Sequence, residues 1–214
     1  MNLELYVVTD ETISRARTHK DIALSSIAGG ADVIQLRDKS CDCRSLLRVA
    51  QEIAALSRST GTLFLVNDRL DIALACGAHG VHLGQGDISI DVARQLAPEG
   101  FIIGVSVGSV KEAEEAVQKG ADYVALSPVF ETDSKRDAGP GQGLSVLRDL
   151  RQRVPVPVIA IGGINKSNVR EVIAAGADGV AVISAVVSAP DVTKATRELK
   201  EIIRNAKRSR NNRF

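Results

Sequence analysis

Short apolar runs alternate with helix-length amphipathic stretches along the whole chain. Leu5–Val8, Leu63–Val66, Phe101–Val105 and Val156–Ile161 are almost wholly apolar, the pattern of strands buried on both faces. Between these runs a heptapeptide recurs: GADVIQL from Gly30, GAHGVHL from Gly77, GADYVAL from Gly120 and GADGVAV from Gly176. Each copy follows a stretch of helical period, such as Val110 to Lys119 or Ser167 to Ala175, and opens on a glycine, the usual helix stop. The apolar residues behind that glycine read as a further strand. Eight strands in four pairs, each followed by a helix-sized segment, predict a parallel sheet with right-handed crossovers. The two-unit repeat predicts closure into a single (β/α)8 TIM barrel of the α/β class over residues 1–206. An open, doubly wound sheet is the alternative, but it does not account for a four-fold echo. Residues 207–214 (KRSRNNRF) read as a basic polar tail, either the frayed end of the last helix or a polyanion-binding segment.

Composition narrows the partners. The 214 residues carry 27 basic and 26 acidic side chains, and aromatic residues make up only 3%. That balance argues against nucleic acid as a partner, for want of both a basic surface and a stacking platform. No apolar run reaches the roughly 18 residues of a membrane span, and the N-terminus lacks the pattern of a secretory leader. A cytoplasmic protein handling small-molecule substrates is expected, and nothing in the pattern opposes a homo-oligomer. Cys41, Cys43 and Cys76 are odd in number, and Cys41 and Cys43 lack the two-residue gap of a zinc or redox pair.

In such a barrel the chemistry sits at the C-terminal ends of the strands. Reactive side chains collect there: Thr9 and Asp10 after the first strand, Gln35, Arg37 and Lys39 along the second, and Asn67 and Asp68 after the third. The fourth strand contributes His82, Gln85 and Asp87, and the fifth Ser106. Strand alternation puts Gln35, Arg37 and Lys39 on one face. His82 is the repeat equivalent of Gln35, so both are expected to point into the barrel mouth. The equivalents Ala125 and Ala181 leave room there for a ligand. Two inward cations call for an anion, since unpaired buried charge costs several kcal/mol.

Asp68 and Asp87, at adjacent strand ends, suit Mg2+ bridging to phosphate oxygens, although each could instead pair with Arg69 or Lys39 or cap the next helix. Gly162 and Gly163, with the loop after Ile183 and Ser184, fit a phosphate cradle or only a tight turn. The long connection from Ser127 to Gly143 carries Thr132, Ser134 and Lys135 and has the character of a lid; Lys135 reads as a third cation or as an ordinary surface lysine. No elbow serine, zincin motif or evident Cys–His nucleophile is present. The ensemble offers charge stabilisation for a leaving diphosphate rather than a covalent nucleophile.

Six motifs in register then resemble one family, the thiamine phosphate synthases: QLRDK from Gln35, NDRLD from Asn67, GVHLGQGD from Gly80, GVS from Gly104, SPVFETDSK from Ser127 and AIGGI from Ala160. The resemblance spans Tyr6 to Ser184. It implies a transferase that couples a hydroxymethylpyrimidine diphosphate to a thiazole phosphate, giving thiamine monophosphate and pyrophosphate. It implies that Gln35, Leu36, Arg37, Asp38, Lys39, Asn67, His82, Ser106 and Lys135 meet the pyrimidine diphosphate, with Arg37, Lys39, Ser106 and Lys135 taking part in the chemistry. It further implies that Asp68 and Asp87 bind Mg2+, and that Thr132, Asp133, Ser134, Gly162, Gly163, Ile183 and Ser184 hold the thiazole phosphate. Two positions depart from the family pattern: Gly108 stands where a histidine is frequent, and Ser127 where a glycine is. Two other readings of the chain are a thiazole tautomerase of the sister family, which uses that histidine and tends to lose the two aspartates, and a non-catalytic phosphate-ligand sensor.

Overall fold

The computed structural model describes residues 2–132, 134 and 139–211. Eight strands close into one barrel in sequence order, every neighbouring pair parallel. They are β1 (Leu5–Val8), β2 (Val33–Leu36), β3 (Leu63–Asn67), β4 (Gly80–Leu83), β5 (Ile102–Val107), β6 (Tyr123–Leu126), β7 (Val158–Ile161) and β8 (Gly179–Val182). The intervening helices are α1 (His19–Ala28), α2 (Cys43–Thr60), α3 (Leu70–Cys76), α4 (Ile90–Leu96), α5 (Val110–Gln118), α6 (Gly143–Arg153), α7 (Val169–Ala174) and the single-turn α8 (Ser184–Val187). A long α9 (Val192–Asn211) follows and packs across α1 and α7. The barrel expected from the repeat is the barrel found. The stretch from Lys207, read from sequence as a tail, begins inside α9, where Lys207 reaches Glu4 and Arg210 donates to the carbonyls of Ile173 and Ala177.

The repeat has a mechanical reason. Its opening glycines all take positive φ, from 67° at Gly77 to 112° at Gly176, a conformation that a side chain would strain. Its third residue then turns back to the preceding strand. Asp32, Asp122 and Asp178 accept from the backbone N–H groups of Leu5, Ile103 and Val158, and His79 Nδ1 accepts from that of Phe64. These are strand-start donors that would otherwise lie unpaired at the base of the barrel, where each would cost about 1–3 kcal/mol. On β1 the arrangement is reinforced by Lys200, only 3% exposed, which donates to Glu4 and Asp32 from α9.

Two cores result. One lies between sheet and helices and contains the outward residues of every strand, Leu36 and Val66 among them. The other fills the barrel interior with Leu3, Tyr6, Val8, Val33, Leu65, Tyr123, Ala125, Ile159 and Ala181. Among the described residues no helix is long and apolar enough to cross a membrane.

Candidate active site

Above the inner core the barrel opens into a cavity at the C-terminal end of the strands. Gln35, His82, Ala125 and Ala181, the same position in the four repeat copies, all line it, as the period-two alternation requires. Arg37, Asn67 and Ser106 stand on its wall. The two alanines leave the space that a glutamine or histidine would fill.

Polar groups on the cavity floor are linked in a chain. Gln35 Nε2 donates to the Tyr6 hydroxyl at 3.2 Å, and the Tyr6 and Tyr123 hydroxyls share a bond of 2.7 Å. The Tyr123 hydroxyl lies 2.8 Å from His82 Nδ1, and His82 Nε2 lies 2.9 Å from Ser106 Oγ. The His82 and Tyr123 rings stack with centroids 5.7 Å apart. Burial pushes the Tyr6 hydroxyl up to about 12, against the hydrogen bonds from Tyr123 and Gln35, and pushes that of Tyr123 well up too, so both keep their protons at neutral pH. Gly104 is the counterpart of this packing: a Cβ there would fall 1.9 Å from the Tyr123 ring.

Arg37 is anchored rather than unpaired. Its guanidinium meets Asp10 Oδ2 at 3.1 Å, and its backbone N–H donates to Thr9 Oγ1. Thr9 Oγ1 also lies 2.7 Å from Nδ1 of the buried His19, whose Nε2 faces Asp38 at 3.3 Å. Asp38 is thus engaged in holding its own turn, accepting from Ser40 and Cys41 as well. Burial alone would raise its carboxyl, but these bonds outweigh it and hold the group below its ordinary range. Neither Asp38 nor Leu36, whose side chain faces the helices, lines the cavity. Lys39 lies beyond the end of β2 and is exposed, so the strand alternation that places Gln35 does not extend to it. Its charge is nonetheless felt at Asp68.

Asp68 takes φ of 62°, left-handed for a residue with a side chain, which turns the chain sharply out of β3. Burial, a hydrogen bond with the adjacent Asp87 and the charge of Asp87 push its carboxyl up to about 6, with Lys39 and Arg37 opposing. Two of the alternatives considered from sequence, pairing with Arg69 and capping of the next helix, are not what the structure shows. Arg69 pairs with Asp71 at 2.6 Å, Ser89 rather than Asp87 occupies the N-cap position of α4, and Asp87 Oδ2 accepts from Gly84 N at 2.6 Å to close its own turn. Two hard-oxygen donors held together in partial burial suit a small divalent cation of the Mg2+ type, which takes one or two carboxylates and completes its shell with water and phosphate oxygens. Among the described residues no cluster of three or more His, Cys, Asp or Glu side chains offers a fuller cage.

A second cavity adjoins the first, and Ser127, Ile161, Ala181 and Ile183 line both. Thr132, Ser134, Gly162, Gly163 and Ser184 complete it. The connection after β6 is tied to β7 here: Val129 N donates to Ile161 O and Phe130 N to Gly162 O. Ser134 Oγ reaches Ser184 Oγ at 3.1 Å. Both glycines have positive φ, and a Cβ on Gly162 would meet Pro128 at 2.4 Å, one on Gly163 the Glu131 carbonyl at 2.6 Å. Their lack of side chains therefore admits the β6 connection, besides baring the backbone to a ligand. Asp133 and Lys135 lie outside the described residues.

The sequence reading passed over Tyr6, Tyr123 and the pairing role of Asp10. A signal existed for the first two: they are the chain's two tyrosines, each two residues before an inward position, Val8 and Ala125.

The family model described as thiamine monophosphate synthase matches residues 5–186. A protein of Methanoregula boonei named thiamine-phosphate synthase is 62% identical over 97% of this chain and 96% of its own, and one of Methanocella arvoryzae with the same name is 60% identical over 95% and 96%. The solved structure of a thiamine phosphate pyrophosphorylase from Pyrococcus furiosus superposes with a TM-score of 0.89 at 44% identity, covering 96% of this chain and 97% of that one. The chain belongs to the thiamine monophosphate synthase family.

Proposed function

We propose that this barrel joins a hydroxymethylpyrimidine diphosphate to a thiazole phosphate, releasing thiamine monophosphate and pyrophosphate. The observation that carries the reading is the pair of adjoining cavities with a common wall. A reaction that condenses two molecules needs two subsites whose contents touch, and aligning them supplies much of the rate.

In this reading the polar cavity takes the pyrimidine diphosphate. Gln35 and His82 face the ring, while Arg37, Lys39, Asn67 and Ser106 surround the diphosphate, together with Lys135 from the β6 connection. Asp68 and Asp87 would hold Mg2+, which would supply positive charge toward the leaving diphosphate. The second cavity takes the thiazole phosphate against Thr132, Asp133, Ser134, Gly162, Gly163, Ile183 and Ser184. The C–O bond to the diphosphate breaks, the ring amine stabilises the cationic methylene left behind, and the thiazole nitrogen lone pair forms the new C–N bond. No proton needs to be removed from that nitrogen, so no general base is required. The residues neutralise charge and exclude misalignment. Three free cysteines fit a reducing, cytoplasmic setting.

The test supplies both substrates and Mg2+ and follows thiamine monophosphate and pyrophosphate. Product formed in proportion to enzyme supports the reading. Isomerisation of a thiazole phosphate alone, or binding without turnover, overturns it in favour of a tautomerase or a sensor. The presence of Asp68 beside Asp87, and of glycine at position 108 with its N–H bonded to Glu112, favours the synthase.

A further inference from the structure

The floor of the first cavity contains a hydrogen-bond chain that begins at the Gln35 amide. Tyr6 accepts from Gln35 Nε2, and of the two directions open to the Tyr6–Tyr123 bond only donation by Tyr6 gives its own buried hydroxyl hydrogen a partner within the chain. In that direction Tyr123 donates to His82 Nδ1, which leaves the ring proton on Nε2 to be donated to Ser106 Oγ. Ser106 Oγ is therefore an acceptor toward His82, and its hydrogen is turned away from the floor. Ser106 is half-buried on the cavity wall beside Arg37 and Asn67. We infer that Tyr6, Tyr123 and His82 are positioning residues: they lock His82 as the Nε2–H tautomer and so present the Ser106 hydroxyl to the diphosphate as an oriented donor. This rests on the proposed placement of the diphosphate.

The geometry gives the chain a purpose that packing alone does not. A phenylalanine at position 6 or 123 would fill the same volume without a polar atom to satisfy, which is the cheaper way to build a core. Instead two hydroxyls, each on a side chain 1% exposed and 117 residues apart in sequence, are brought together and connected to a pocket serine. An oriented donor costs no reorganisation when charge develops on the leaving group, whereas a freely rotating hydroxyl must be fixed at that moment.

The test has a spectroscopic arm and a binding arm. Heteronuclear NMR of ring-labelled histidine in the ligand-free protein is expected to show His82 as the Nε2–H tautomer. An Nδ1–H tautomer would mean the chain runs in the opposite direction and overturns the inference. In the binding arm, affinity for pyrophosphate with Mg2+ is measured by calorimetry for the wild type, Tyr123→Phe, Ser106→Ala and the double variant. Ser106→Ala is expected to weaken binding about 10-fold or more, and Tyr123→Phe about 3- to 10-fold, for loss or misdirection of one charge-assisted hydrogen bond. Because Tyr123 acts through Ser106, the double variant should bind no more weakly than Ser106→Ala. Losses that multiply refute the chain. Should Tyr123→Phe fail to fold, Tyr6→Phe interrupts the same chain one link away and is read in the same way. Wild-type protein that does not bind pyrophosphate with Mg2+ at all would refute the proposed function, a result distinct from either failure of the chain.

Discussion

Asp68→Asn separates the catalytic use of a carboxylate from its cost to the fold. Asparagine tolerates the left-handed φ of 62° about as well as aspartate, so the variant removes charge without adding backbone strain. The Asp68 carboxyl is pushed from an ordinary 3.8 up to about 6 by burial and by Asp87 beside it. Its folded-state value lies above its unfolded one, so the charged form burdens the fold in full above about pH 6. The burden shrinks as pH falls through 6 and is gone below about 4. A shift of that size corresponds to about 3 kcal/mol if undiminished, and solvent around a half-exposed carboxyl reduces it to about 1 kcal/mol. For a chain of this length that is about 2–4 °C in Tm. Metal-free Asp68→Asn should therefore melt about 2–4 °C above the metal-free parent near neutral pH, the gap closing toward pH 4. At the same time its turnover should fall about 100-fold or more, and Mg2+ should no longer raise its affinity for pyrophosphate. Calorimetric melting in EDTA across pH, paired with the coupling assay, makes the measurement. A variant that melts lower than the parent at neutral pH, yet still answers to Mg2+, would refute the pairing of Asp68 with Asp87 as a metal site.

Arg37→Ala should lower turnover about 10- to 100-fold for loss of a charge-assisted contact while the protein stays folded, because Asp10 keeps its bond from Thr12 N; unfolding instead would make Arg37 a structural residue. Gly163→Ala should push away the β6 connection, whose Glu131 carbonyl the new Cβ would meet at 2.6 Å, raising KM for thiazole phosphate about 10-fold with little change for the pyrimidine diphosphate. Steady-state constants for each substrate decide this, and unchanged thiazole KM would place the phosphate elsewhere. Lys200→Met, at the opposite end of the barrel, should cost about 3 kcal/mol by removing the buried cation that Asp32 and Glu4 share, lowering Tm by about 6–12 °C without altering kcat/KM at moderate temperature. An equal loss of activity would show that the base of the barrel communicates with the mouth.

What the sequence by itself determined is what depends on neighbours along the chain. Apolar runs, helix-stop glycines and a repeat are local, and they specified eight strands in their observed places together with the order in which they close. Alternation within a strand is local too, which is why Gln35, His82, Ala125 and Ala181 could be placed at the mouth from one heptapeptide. That reasoning ended where the strands end. Lys39 lies past the last residue of β2, Asp38 turns to His19, and Leu36 faces the helices, so a contiguous QLRDK motif disperses in three directions. The third residue of the repeat was visible as a conserved spacing within the chain, but its duty toward a preceding strand appears only once those strands are side by side. Closure of the barrel alone decided the Arg37–Asp10 pair, the contact of Asp68 with Asp87, the Tyr6–Tyr123 bond and the wall common to the two cavities. Each of these joins side chains from different strands or strand-end loops. Their strength depends on distance and on how far water is excluded, and neither quantity exists until the chain has folded.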